Sequence, residues 1–178
     1  MPTQSMLDRY EARRTRRFLK NEELTAHWLP GWRTQHRRRI LAATVTALIA
    51  VMFVVAITSY FTMFAAIAWL PVTLTFLPTW TCLQVVSGRQ SDAPRHALDE
   101  REIAERNSAR SIGLSVAQTL LLIPIFALIF GSTIDSLDHQ SLAYSAGGFA
   151  LASILLSGCL PAVLLAWNRP DDDPEDQP

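Results

Sequence analysis

The sequence predicts an all-α, polytopic membrane protein with four transmembrane helices, arranged as two helical hairpins with both termini cytoplasmic. Three observations carry this expectation. No charged residue occurs from Ile40 to Ser87 or from Ser111 to Ile134, and a bilayer core is crossed by about 20 apolar residues. All sixteen Lys and Arg fall in segments that such a topology places on one side, the side where basic residues accumulate in membrane proteins. The formal net charge of zero conceals a basic head and an acidic tail, so the average says nothing about partners.

Residues 1–39 form the basic cytoplasmic head, with ten Lys/Arg against four acids. Residues 5–20 have the pattern of a short helix, but Arg14 interrupts its apolar positions Leu7, Tyr10 and Phe18. A stripe this thin needs a membrane surface or a partner. Trp28-Leu29-Pro30-Gly31-Trp32 breaks the chain with a Pro-Gly turn, and indoles suit the headgroup zone. Arg37, Arg38 and Arg39 stand directly before Ile40. They mark the cytoplasmic side and, with Trp28 and Trp32, are candidate contacts for anionic lipid, worth about 1 kcal/mol per basic residue.

The uncharged block 40–87 is too long for one crossing and suits a first transmembrane hairpin, spans about 40–60 and 64–86, turning near Thr58–Met63. Arg-rich segments flank it on both sides, which requires an even number of crossings. Residues 88–110 read as a cytoplasmic charged helix. Asp99 and Glu102 have the spacing of a capping box, and Leu98 and Ile103 that of a hydrophobic staple. Glu102–Arg106 and Arg101–Glu105 are i, i+4 pairs, each contributing a few tenths of a kcal/mol. Asp99, Glu100, Arg101, Glu105 and Arg106 form the candidate partner-binding face. This helix continues through Ser111 into the third span.

The second transmembrane hairpin occupies 111–167, with spans about 111–130 and 142–167. Its connection, Gly131 to Gln140, holds no Lys or Arg and faces outside on the same rule. Tyr60, Trp69 and Tyr144 then lie toward the outer side, Trp80 and Trp167 toward the inner. Residues 168–178 carry five acids, one Arg and no apolar residue, the composition of a disordered tail.

The run Leu98-Asp-Glu-Arg-Glu, followed by Arg106 and Ala109-Arg110, resembles a motif of uncharacterised small bacterial integral membrane proteins, actinobacterial ones in particular. In those an Asp-Glu-Arg run precedes a membrane helix. The resemblance covers about fifteen residues; it implies the topology and no activity.

Chemistry is harder to place. There is no HExxH, phosphate-binding glycine loop or nucleophile elbow, so the expectation is not an enzyme, with no catalytic, cofactor-binding or metal residues and no nucleic acid partner. Cys82 and Cys159 sit at similar depth in apolar runs and read as buried thiols, because a metal would want more ligands. Asp135, Asp138 and His139 form a weak D-x-x-D-H cluster, better explained as a solvated loop. In the fourth span, Gly148 with Ala152 and Ser153 with Ser157 are small-xxx-small pairs that permit close helix approach. Pro71 and Pro78 share a face of the second span with Thr75 and Thr79, a candidate pore or kink; the ordinary use of such threonines is to bond their own helix's carbonyls. No Asp, Glu, Lys, Arg or His lies within a predicted span, which speaks against an ion-coupled carrier. The leading expectation is a non-catalytic accessory or scaffold subunit of a membrane assembly in the cytoplasmic membrane, contacting a protein partner or further copies of itself. The alternative is a small homo-oligomeric channel or carrier lined by the Pro/Thr stripe.

Overall fold

A computed structural model describes residues 34–87 and 100–168, together with positions 12, 13, 15, 16, 19, 20, 24, 28 and 32. The 5–20 helix as a whole, the Asp99 cap with its Leu98 staple, and the acidic tail fall outside the described residues. Those described are all-helical: α1 (Gln35–Phe61), a 3₁₀ turn (Met63–Ala68), α2 (Trp69–Val86), α3 (Glu100–Gly131) and α4 (His139–Asn168). All four α-helices, α2 together with its 3₁₀ lead-in, are long and apolar enough to cross a membrane.

The first hairpin turns on one residue. Thr62 is extended (φ −152°, ψ 123°) and its amide donates to the Thr58 carbonyl, closing α1. The 3₁₀ turn follows, and regular α-helix begins only at Trp69. Pro71 stands in the first turn of α2, where an amide donor is not needed, eight residues into the apolar span that begins at Met63. Pro78 is the proline inside α2.

The helices do not close into a four-cornered bundle. α4 is central, with α1 on one side and α3 on the other; α2 packs mainly on α1, and α3 packs mainly on α4. The reason lies in side-chain size. On α1, Ala42, Val45, Ile49, Met52, Ala56 and Ser59 are each no more than 1 % exposed. Their alternating three- and four-residue spacing is the seam of a left-handed helix pair. Small residues of α4 meet this seam: Ala152, Cys159 and Ala166 join the same core as Leu41, Val45, Ile49 and Met52. A Cβ on Gly148 would come 3.2 Å from the Ala56 Cβ and 2.9 Å from the Trp69 ring. Phe53 and Phe149 meet edge to face across this interface, centroids 4.8 Å apart.

The opposite side of α4 is also built of small or compact residues. Ala146, Ser153 and Pro161 are buried there, while α3 contributes buried Ala109, Gly113, Ala117, Pro124 and Gly131. A Cβ on Gly113 would lie 2.9 Å from the Ser157 carbonyl oxygen and 3.5 Å from Pro161 Cδ. Such close backbone approach drives helix association in lipid, where apolar burial alone gives no preference for protein over acyl chains. Both small-xxx-small pairs of α4 therefore lie in or beside seams within the fold.

Large apolar side chains point outward instead. Ile112, Leu114, Leu122, Ile123, Ile125, Phe126, Ile129 and Phe130 of α3 are exposed, as are Leu70, Leu74 and Leu77 of α2. Ser59, Ser141 and Ser153 are buried. Water would penalise so extended an apolar surface; acyl chains would not. The fold is that of an integral membrane protein.

Candidate functional site

Opposite ends of the helical row differ in chemistry. One, here the loop end, carries the α1–α2 turn and the 132–138 connection. At the other, the terminal end, α1 begins and α4 finishes, and every Arg within α1 and α3 lies toward that end. Arg39 on α1 donates from Nε to the Trp167 carbonyl of α4 at 3.2 Å, and its guanidinium carbon stands 5.5 Å from the centre of the Trp167 ring. Arg37 stands likewise over Trp32, at 5.3 Å. Gly113 opposite Ser157 and Gly131 opposite Leu142 set the antiparallel register of α3 on α4. Carried one helical stretch further, that register brings Arg106 level with about Leu164, one turn before Trp167. Arginines from α1 and α3 thus form one layer around the end of α4.

Helical geometry divides the Arg37-Arg38-Arg39 run. Arg38 stands one turn before Ala42, on the seam that packs inward, and is 1 % exposed; Arg37 and Arg39, rotated about 100° to either side, are exposed. Arg106 continues the inward stripe of Ala109 and Gly113 and is 3 % exposed. Removing a guanidinium from water costs several kcal/mol unless it is paired, and both buried arginines have polar or electrostatic partners. Arg38 and Arg106, expected among the surface contacts, are buried, whereas Arg37 and Arg39 in this layer and Glu100, Arg101 and Glu105 at the start of α3 are exposed.

The start of α1 adds to the positive field. Thr34, at its N-cap, makes no side-chain cap bond, and the first turn contains no acid. Its amides are the positive end of the helix dipole, where a carboxylate is the usual neighbour; here the neighbours are His36, Arg37 and Arg38. On α3, Arg101 Nε meets Glu105 Oε1 at 2.8 Å with the two side chains 85 % and 46 % exposed. Trp28 is exposed, as are Trp32 and Trp167. Trp167, placed among the inner aromatics from the sequence, has a partner in Arg39 that a separation of 128 residues concealed.

The second span's stripe is not brought into an interior. Pro71, Thr75 and Pro78 are exposed and Thr79 is half-buried. The Thr75 hydroxyl donates to the Pro71 carbonyl and the Thr79 hydroxyl to the Thr75 carbonyl, both at 2.8 Å. Each hydroxyl is spent on its own helix. At the loop end, Asp138 caps α4: Oδ1 accepts from the Gln140 amide at 3.1 Å and Oδ2 from the Ser141 hydroxyl at 2.6 Å. These bonds hold its carboxyl below the ordinary value of 3.8, the Ser141 bond foremost. Asp138 thus serves the helix start, and among the described residues no group of three or more His, Cys, Asp or Glu could hold a metal ion. His139 borders a cavity of about 250 Å³ with Leu128, Ser132 and Leu142. Cys159 belongs to the core, with Cys82 packed against it, both as free thiols.

No protein family, no curated protein and no solved structure matches the chain.

Proposed function

We propose that this integral membrane protein is a non-catalytic accessory or scaffold subunit of the cytoplasmic membrane, with both termini inside and its contacts made at the terminal end. The observation that carries this is the outer face of the first turns of α3. Arg101, Ala104, Glu105, Ser108 and Ile112 are exposed at i, i+3, i+4 spacing, a continuous strip on one side of the helix. Arg106 and Ala109 anchor the opposite side. The resulting handle is rigid, charged and continuous with a membrane span. Sidedness is supported by the sequence, in which every Lys and Arg falls in segments that a four-span topology puts on one side. A homo-oligomeric channel has weaker support, because the Thr75 and Thr79 hydroxyls are already bonded within α2.

The test is affinity purification in mild detergent of the wild-type chain beside Arg101→Glu and Glu105→Arg variants. A partner that co-purifies with the wild type and is lost from either variant is expected. Recovery of the chain alone from every preparation removes the accessory role.

A further inference from the structure

We infer that the arginine–tryptophan layer is a binding site for the headgroup of an anionic phospholipid, held by Arg37 and Arg39 and flanked by Trp32 and Trp167. The inference rests on reading α1–α4 as membrane spans and is independent of the accessory role.

Three features of the layer converge on this ligand. Arg39 uses Nε on the Trp167 carbonyl, which fixes the plane of the guanidinium and leaves its Nη fork directed elsewhere. A fixed fork of this kind matches two oxygens of a phosphate. Both exposed arginines lie over indole rings, Arg37 on Trp32 and Arg39 on Trp167. An indole is half apolar and half wet, which suits the depth at which a lipid phosphate sits. The first turn of α1 holds no acid, and its positive dipole end adds to the field of Arg37 and Arg39. A soluble anion would be served by the arginines alone. The indoles, and the exposed Ile40 immediately below them, favour a ligand that has acyl chains beneath its phosphate.

Division of the Arg37–Arg39 run makes the site separable from the fold. Arg38 faces the seam and belongs to the packing; Arg37 and Arg39 face outward, so their replacement leaves the core intact.

The experiment uses the purified full-length protein in neutral detergent, with mixed micelles of phosphatidylglycerol and phosphatidylcholine, and native mass spectrometry to read the ratio of the two lipids retained. The wild type is expected to keep phosphatidylglycerol in preference. Arg37→Gln and Arg39→Gln should each lower the ratio about fivefold, which is what about 1 kcal/mol per basic residue corresponds to. Arg38→Gln should leave the ratio of the folded fraction unchanged and lower the melting temperature. No preference in the wild type, or a preference undiminished in the Arg37→Gln/Arg39→Gln double variant, overturns the proposal. Displacement of the lipid by millimolar inorganic phosphate would assign the layer to a free anion instead. A preference that emerges only when residues 169–178 are deleted would make the acidic tail the occupant. Both outcomes also overturn it. No partner protein is present in the assay, so its failure is distinct from failure of the accessory reading.

Discussion

The backbone of Gly113 on α3 approaches the Ser157 carbonyl oxygen of α4 so closely that a Cβ at Gly113 would stand 2.9 Å from it. Pro161, four residues after Ser157, has no amide to donate back to that carbonyl. The oxygen freed by the proline therefore faces the one residue type whose Cα offers a hydrogen in place of a side chain, the geometry of a Cα–H···O contact. Gly113→Ala gains about 1 kcal/mol of helix propensity but meets a backbone atom that cannot rotate away. Overpacking of this kind costs about 1–3 kcal/mol, so a net loss of about 1 kcal/mol is expected. Gly113→Leu should release α3 from α4. Thermal unfolding in detergent checks the first, and cysteine crosslinking between the two helices checks the second.

Gly147 and Gly158 provide the opposite case. A Cβ at either meets nothing within 4 Å, and both are helical. Substitution by Ala should be neutral or stabilising by up to about 1 kcal/mol. A destabilisation of either in the detergent-solubilised protein would show that the exposed face of α4 is occupied in solution.

Charge position decides the next pair of outcomes. Arg38→Ala and Arg106→Ala each remove a buried guanidinium and strand its polar partner, a change worth about 3–5 kcal/mol when a buried pair is broken. Arg101→Ala breaks the exposed pair with Glu105, which is worth a few tenths of a kcal/mol. Equal melting temperatures for the Arg38 and Arg101 variants would contradict this ordering.

The cap on α4 titrates. The Asp138 carboxyl is lowered in the folded state by the Ser141 hydroxyl and the Gln140 and Ser141 amides. A depressed carboxylate contributes stability that is fully present above its unfolded value and fades as pH falls through the folded one. Amide exchange in the first turn of α4 should therefore accelerate as pH drops below the ordinary value of 3.8, after correction for intrinsic rates. Asp138→Asn, which still caps, should abolish that dependence. Retention of the same pH profile in Asp138→Asn would assign it to another group.

Thr75→Val and Thr79→Val remove hydroxyls that serve only their own helix. Stability should change by no more than about 0.5 kcal/mol at the exposed Thr75, and by little more at the half-buried Thr79. Liposomes carrying either variant should show the same ion flux as the wild type; a difference would return the Pro/Thr stripe to consideration as a pore.

Much of this architecture was legible in the sequence because it follows from two coarse signals. Long uncharged blocks mark spans, and the confinement of arginine to alternate segments pairs them. The first hairpin's turn, marked only by Thr, Ser and Tyr, still falls at Thr62, inside the Thr58–Met63 window. Burial was not legible at the same scale. Three consecutive arginines look equivalent in a sequence, and only their phase relative to Ala42 and Val45 separates Arg38 from Arg37 and Arg39. The same is true of Arg106, which follows the phase of Ala109 and Gly113. Small residues on α4 pointed to close approach, but periodicity alone does not say that two separate faces are engaged. Prolines drew attention to α2, where they are outward; Pro124 and Pro161, buried between α3 and α4, are the ones that shape an interface. Asp138 reads as part of a solvated loop, although an acid just before a helical run is also a cap signal.

The helix to which α1 and α3 both attach is the fourth in chain order. While the chain is being synthesised, the seam of Ala42, Val45, Ile49 and Met52 and the glycine face of α3 enter the bilayer before either has its partner. Until α4 arrives, the first hairpin and α3 lack the helix on which α1 and α3 both pack most extensively, and each is open to capture by other membrane proteins or by quality-control proteases. A chain interrupted before His139 should therefore be cleared rapidly even though three of its four spans are complete. The final insertion event converts independent spans into one molecule.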